Sequence, residues 1–196
     1  MAHKSGKRHP LLLYHRAANP VWQTTLFLGL AILLVQQLSG RVIPFIGLLP
    51  YLPSPFDEYL LISGIVLLVF GLIVLFARRL AYVQARPDHL RLSTPLTNIK
   101  ISYRRVRSIH PTNIAQLFPP AKLRGSARSF LEPFLGKTAV VVELSSYPLS
   151  PKAMRLFLGE YMLLPNRTGI ILVVPDWISF STEIDSIYGT WLQCFN

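Results

Sequence analysis

Two stretches of this chain carry no polar rhythm, and the pattern changes abruptly after the second. From Ala17 to Gly40 no residue is ionisable, and the centre, LFLGLAILLV (26–35), is uniformly apolar. YLLISGIVLLVFGLIVLFA (59–77) repeats the character over nineteen residues. A helix of about 20 apolar residues crosses a hydrocarbon core of ~30 Å, so both segments predict transmembrane helices. Gln23, Thr24, Thr25, Gln36 and Gln37 trim the first span and read as headgroup-level residues, with Trp22 as an interfacial anchor. A cleaved signal peptide is the rival reading of that segment, but VQQLSGRV offers no A-x-A site and another span follows. Between the spans, Pro44, Pro50, Pro53 and Pro55 rule out a regular helix and predict a loop lying in the interface. Asp57 and Glu58 read as the polar edge of the second span. Gly64 and Gly71 lie seven residues apart on one helical face, where they would let the two helices approach closely.

Beyond Ala77 the period drops to two. Tyr82–Arg86 predicts a short strand, and Leu90–Thr94 sets Leu90, Leu92 and Thr94 on one face against Arg91 and Ser93 on the other. Ile99 and Ile101 alternate with Lys100 and Ser102, and Val106 and Ile109 mark a further element. Pro, Asp and Asn break these runs, as they do in a β-meander with one wet face. The stretch 111–137 shows no period and is too long for a routine connection. Its Leu117, Phe118, Phe130, Leu131, Phe134 and Leu135 predict that it folds against the domain or the bilayer surface. TAVVVEL (138–144) and TGIILVVP (168–175) read as buried strands. Ser150 followed by Pro151 predicts a helix start, with Met154, Phe157, Leu158 and Tyr161 at helical spacing. Ser181 or Thr182 predicts the cap of a C-terminal helix with an inner face of Ile184, Ile187, Tyr188, Trp191 and Leu192.

Strands closed by one amphipathic helix make an α+β plan. Here YVQARPDHLRLSTPLTNIKISYRRVRSI resembles the opening strands of the bacterial pleckstrin-homology-like (PH-like) domains that follow paired transmembrane helices. The third strand ends in a step similar to that family's I-x-Y-x-x-I, read as Ile101–Ser102–Tyr103–Arg104–Arg105–Val106. The resemblance covers roughly residues 80–192. It implies a membrane α-helical hairpin followed by an antiparallel sheet or partial barrel capped by a C-terminal helix. The division expected is a basic N-terminal tail (1–20), the hairpin (21–79) and the domain (80–196), with an irregular insert at about 111–137.

Charge adds direction. The net charge is +11 and it is unevenly spread. Lys4, Lys7, Arg8 and Arg16 precede the first span with no acid, and residues 78–135 hold eleven Lys and Arg against Asp88 and Glu132. Only Arg41 lies between the spans. The positive-inside rule therefore predicts a multi-pass protein of the inner (plasma) membrane with both termini cytoplasmic. Arg78, Arg79, Arg86, Arg91, Lys100, Arg104, Arg105 and Arg107 are the candidate contacts to anionic lipid headgroups. A purely topological role for them is the alternative. Nucleic acid is a poorer match, because no basic motif is interleaved with aromatics.

Catalytic chemistry has no visible signature. H-E-x-x-H, C-x-x-C, a glycine-rich phosphate loop and G-x-S-x-G are all absent from the sequence. His3, His9, His15, His89 and His110 are scattered, so neither a metal site nor a cofactor is expected. Cys194 is the lone cysteine, which excludes an intramolecular disulfide. The function expected is a non-catalytic protein-interaction or assembly module that touches anionic lipid and partners another membrane protein. Two alternatives stand beside it: an accessory subunit held in a larger complex by its transmembrane helices, and a membrane enzyme whose site carries no recognised motif.

Overall fold

The computed structural model describes residues 6–38 and 56–195. In chain order the elements are β1 (His9–Pro10), α1 (Leu12–Leu38), α2 (Phe56–Ala77), β2 (Tyr82–Ala85), β3 (His89–Ser93), β4 (Asn98–Ser102) and β5 (Val106–Asn113). Then follow α3 (Ile114–Leu117), α4 (Gly125–Leu131), β6 (Thr138–Leu144), α5 (Pro151–Leu158), β7 (Gly169–Leu172) and α6 (Trp177–Phe195). The chain divides into two compact units. Ala18–Ala77 form one, and the segments on either side of it together form the other. The expected interfacial loop between the spans lies outside the described residues.

Both long helices are apolar and long enough to cross a membrane. At 1.5 Å per residue, 27 and 22 residues extend roughly 40 and 33 Å. Their most apolar stretches are only 6% and 11% buried, unlike the interior helix of a water-soluble domain. Within this unit the two helices meet antiparallel through glycines. A Cβ on Gly29 would stand 3.0 Å from the Gly64 carbonyl oxygen; one on Gly64 would stand 2.7 Å from Leu33, and one on Gly71 2.8 Å from Leu26 and Thr25. Gly64 and Gly71 therefore pack as expected. Gly29, which the spacing argument missed, completes the set.

The first helix begins earlier than its apolar run. α1 starts at Leu12 and carries Pro20 in its interior, where the ring removes one helical hydrogen bond. Residues 6–11, just before it, pack into the domain. His9 pairs with Val83 and Pro10 with Tyr82, so β1 is the outer strand of a four-stranded antiparallel sheet, β1-β2-β3-β4. Leu11 and Leu13 are fully buried in the domain core. A basic segment of low hydropathy reads as a solvated tail because one two-residue strand leaves no period to detect.

The second sheet is β5-β6-β7, also antiparallel. β4 and β5 are not hydrogen-bonded to each other, so the two sheets form no closed barrel. Val83, Leu92, Ile101, Val142, Leu172, Phe180 and Ile184 belong to one continuous core spanning both sheets and α6. The 111–137 stretch is more ordered than its lack of period suggests. It begins as the end of β5 and holds α3 and α4, with Leu131 and Phe134 buried and Phe130 stacked on Tyr161 at 4.9 Å.

Capping explains two helix starts. Ser150 Oγ accepts the Ala153 N–H with Pro151 at the first position, as the sequence predicts. α6 starts four to five residues before Ser181 and Thr182, because the Asp176 carboxylate accepts the Ser179 N–H. Its inner face accordingly begins at Trp177 and Phe180. Leu192, expected on that face, is exposed.

Candidate basic surface of the first sheet

Strand pairing determines which cations meet. β3 places Arg91 directly opposite Gln84 of β2 and Lys100 of β4. Alternation then puts Tyr82, Gln84, Arg91 and Lys100 on the face opposite the core, and Arg8, next to His9 in β1, on that face too. The Arg8 guanidinium lies 4.9 Å from the Tyr82 ring centroid and that of Arg91 lies 6.0 Å from it, both within cation–π range. Arg91 also donates to Asn98 Oδ1 at 3.1 Å, while its Nε is buried with no hydrogen-bond partner.

Like charges directly opposite across a ladder destabilise it. Arg91 and Lys100 stand in that relation, and none of the strand positions on this face carries a carboxylate. The nearest acid in sequence, Asp88, sits in the β2–β3 turn and pairs with His89 Nδ1 at 2.8 Å. That hydrogen bond holds its carboxyl below the usual carboxylate range. The face is therefore suited to anions.

The other predicted cations do not join it. Arg78 and Arg79 form a 3-10 turn directly after α2. Arg86 lies in the β2–β3 turn, where its carbonyl accepts the hydroxyl of Tyr103 at 2.8 Å. Burial beneath Tyr188 and Trp191 raises the Tyr103 hydroxyl well above its ordinary pKa, so it acts as a fixed donor. Arg104 and Arg105 occupy the turn between the sheets, and Arg105 is committed to the β6–α5 connection through the Tyr147 carbonyl at 3.0 Å. Arg107 is exposed on β5. Of eight candidates, Arg91 and Lys100 share the sheet face, and Arg8 joins them from the far end of the hairpin. Sequence reasoning missed Arg8 because about seventy residues separate it from β2.

A second polar feature lies on sheet β5-β6-β7. His110, Thr112, Gln116, Glu143, Asn166 and Arg167 line an open groove of about 260 Å³. Ser108 Oγ donates to Glu143 Oε2 at 3.1 Å and Arg167 Nη1 donates to Glu143 Oε1 at 3.0 Å, and these bonds hold the carboxyl below its ordinary range. Each carboxylate oxygen thus has a donor within the fold. Among the described residues no three His, Cys, Asp or Glu side chains could hold a metal ion together. Comparisons with protein families, with curated proteins and with solved structures find no match.

Proposed function

We propose that this chain is a non-catalytic, two-span protein of the bacterial inner (plasma) membrane whose PH-like cytoplasmic domain is a docking module for an acidic surface of another membrane protein. The observation that carries the reading is the acid-free basic face formed by Arg8, Arg91 and Lys100 around Tyr82 on a domain entered from both ends of an apolar hairpin. Two antiparallel sheets of four and three strands with a C-terminal helix support the PH-like reading.

Pairing of His9 with Val83 supports placing both termini on one side of the bilayer, since β1 precedes the hairpin and β2 follows it. The same pairing argues for retention of the first span, because cleavage would remove β1, Leu11 and Leu13 from the fold. The positive-inside rule makes that side cytoplasmic. An acidic partner would relieve the Arg91–Lys100 repulsion, which gives binding a favourable term that folding alone lacks.

The test is purification of the full chain in mild detergent beside an Arg91→Glu/Lys100→Glu double variant. A stoichiometric membrane protein that accompanies the wild type and is lost from the still-folded variant supports the proposal. Recovery of the wild type as a lone species overturns it. A companion that survives the double substitution transfers the contact to the helices and favours the accessory-subunit reading.

A further inference from the structure

Three contacts along one ladder lay residues 6–11 antiparallel to residues 81–85 within the domain. Gly6 N–H donates to the Ala85 carbonyl at 2.8 Å, His9 lies opposite Val83, and Leu11 N–H donates to the Ala81 carbonyl at 3.2 Å. Moving from Gly6 to Leu11 thus approaches both the start of α1 and the end of α2. Helix α6 runs in register with this segment. Glu183 accepts the Lys7 N–H and lies 3.1 Å from His9 Nε2, while Phe180 meets the His9 ring at 5.1 Å. One further turn back, about 4.5 Å along the axis, brings Trp177 and Ile178 level with the residues that lead into α1 and out of α2. Leu12 N–H donates to the carbonyl of Val173, in the connection from β7 to α6.

The side chains at this end have the composition of an interfacial contact. Ile178 is 61% exposed and Leu80 is 59% exposed, which is expensive for large apolar groups in water. Trp177 is half-buried, with one side packed against the domain core. Arg16 and Arg79 are exposed at the same end, and Arg78 precedes them in the 3-10 turn. Asp176 is the opposing charge, and it is engaged in capping α6. Tryptophan with aliphatic residues and arginines is the set that settles at the boundary between headgroups and acyl chains.

We infer that Trp177, Ile178 and Leu80 form a shallow second membrane contact, seated in an anionic leaflet beside Arg16, Arg78 and Arg79. This rests on the membrane reading above, and it adds what that reading lacks: an apolar contact that restrains the domain against the bilayer. The basic sheet face is then left to the partner.

The test uses full-length protein with single tryptophans, reconstituted in phosphatidylcholine–phosphatidylglycerol vesicles. One variant keeps Trp177 (W22F/W191F) and a second keeps Trp22 (W177F/W191F). With lipids brominated near the head of the acyl chain, Trp177 emission should fall by about half, and it should fall less with bromines near the chain end. Unchanged Trp177 emission while Trp22 is quenched overturns the contact and leaves the membrane reading standing. Absence of quenching at both positions overturns that reading as well. Ile178→Cys in a Cys194→Ser background, labelled with a polarity-sensitive dye, gives a second measure at an exposed position. A label blue-shifted in the reconstituted vesicles relative to detergent-free water supports the contact, and a water-like label refutes it.

Discussion

The two sheets of the domain differ in how far their outer faces are exposed. On β1-β2-β3-β4 the face away from the core shows Arg8, Tyr82, Arg91 and Lys100. On β5-β6-β7 the corresponding face of the middle strand is covered: Val141 is fully buried beside His110 and Ile171. The first sheet displays charge on its outer surface, while in the second the middle strand is covered at Val141 and the one acid of its strands, Glu143, is tied to Ser108 and Arg167. A strand with one wet face tolerates charge there; a strand covered on both sides does not. The display side of this domain is therefore the sheet closed by the chain's own N-terminal segment.

The comparison breaks most visibly at Val141. Val141→Lys would bury an unpaired charge in the second sheet and should cost more than about 4 kcal/mol, seen as loss of the cooperative near-ultraviolet transition. Next in size is Leu11→Ala, which empties core space beneath the first sheet. It should cost about 2–5 kcal/mol in denaturant titrations of the detergent-solubilised chain, as for other buried leucines. A solvated tail would show no change.

Glu183→Ala removes the acceptor for the Lys7 amide and His9, both of which hold the N-terminal segment on α6. A loss of about 1–3 kcal/mol is expected, with hydrogen exchange rising first in residues 6–10. Lys100→Glu has the opposite sign. Converting the Arg91–Lys100 repulsion into attraction should stabilise the chain by about 0.2–1 kcal/mol, measured in the same titration, even as it weakens anion binding.

The smallest effect is the pH response of the second sheet. The folded Glu143 carboxyl is depressed, so its contribution is present above the unfolded carboxylate range and is lost as pH falls through the folded value. Glu143→Gln should remove that part of the acid dependence, leaving a shallower decline in stability below the unfolded range.

How much was legible follows the physics of each segment. The span α2 was read almost to its ends, because lipid demands an unbroken apolar run. β2, β3 and β4 emerged from alternation, and β6 and β7 from short runs rich in β-branched residues. The insert was harder. Its Leu131 and Phe134 are core residues, but they sit on short helical turns that carry no long period. The start of α6 was placed too late because Ser181 and Thr182 have capping chemistry, whereas the cap in use is Asp176.

The basic surface was legible as composition and illegible as geometry. Arg91 and Lys100 were both candidates on charge, but their juxtaposition depends on the register of β3 with β4. Arg105 looked equivalent to them and instead holds the Tyr147 carbonyl. Arg8 could not be assigned at all without the pairing of β1 with β2.

By itself the sequence determined two apolar segments, the change of period after them and the excess of positive charge on their flanks. These are local properties, set by hydropathy and by which faces repeat every two residues. Only the tertiary structure decided that residues on both sides of the hairpin build one domain and which cations share a face. Such relations are contacts between distant parts of the chain, and local pattern carries no information about which distant partner a strand will choose.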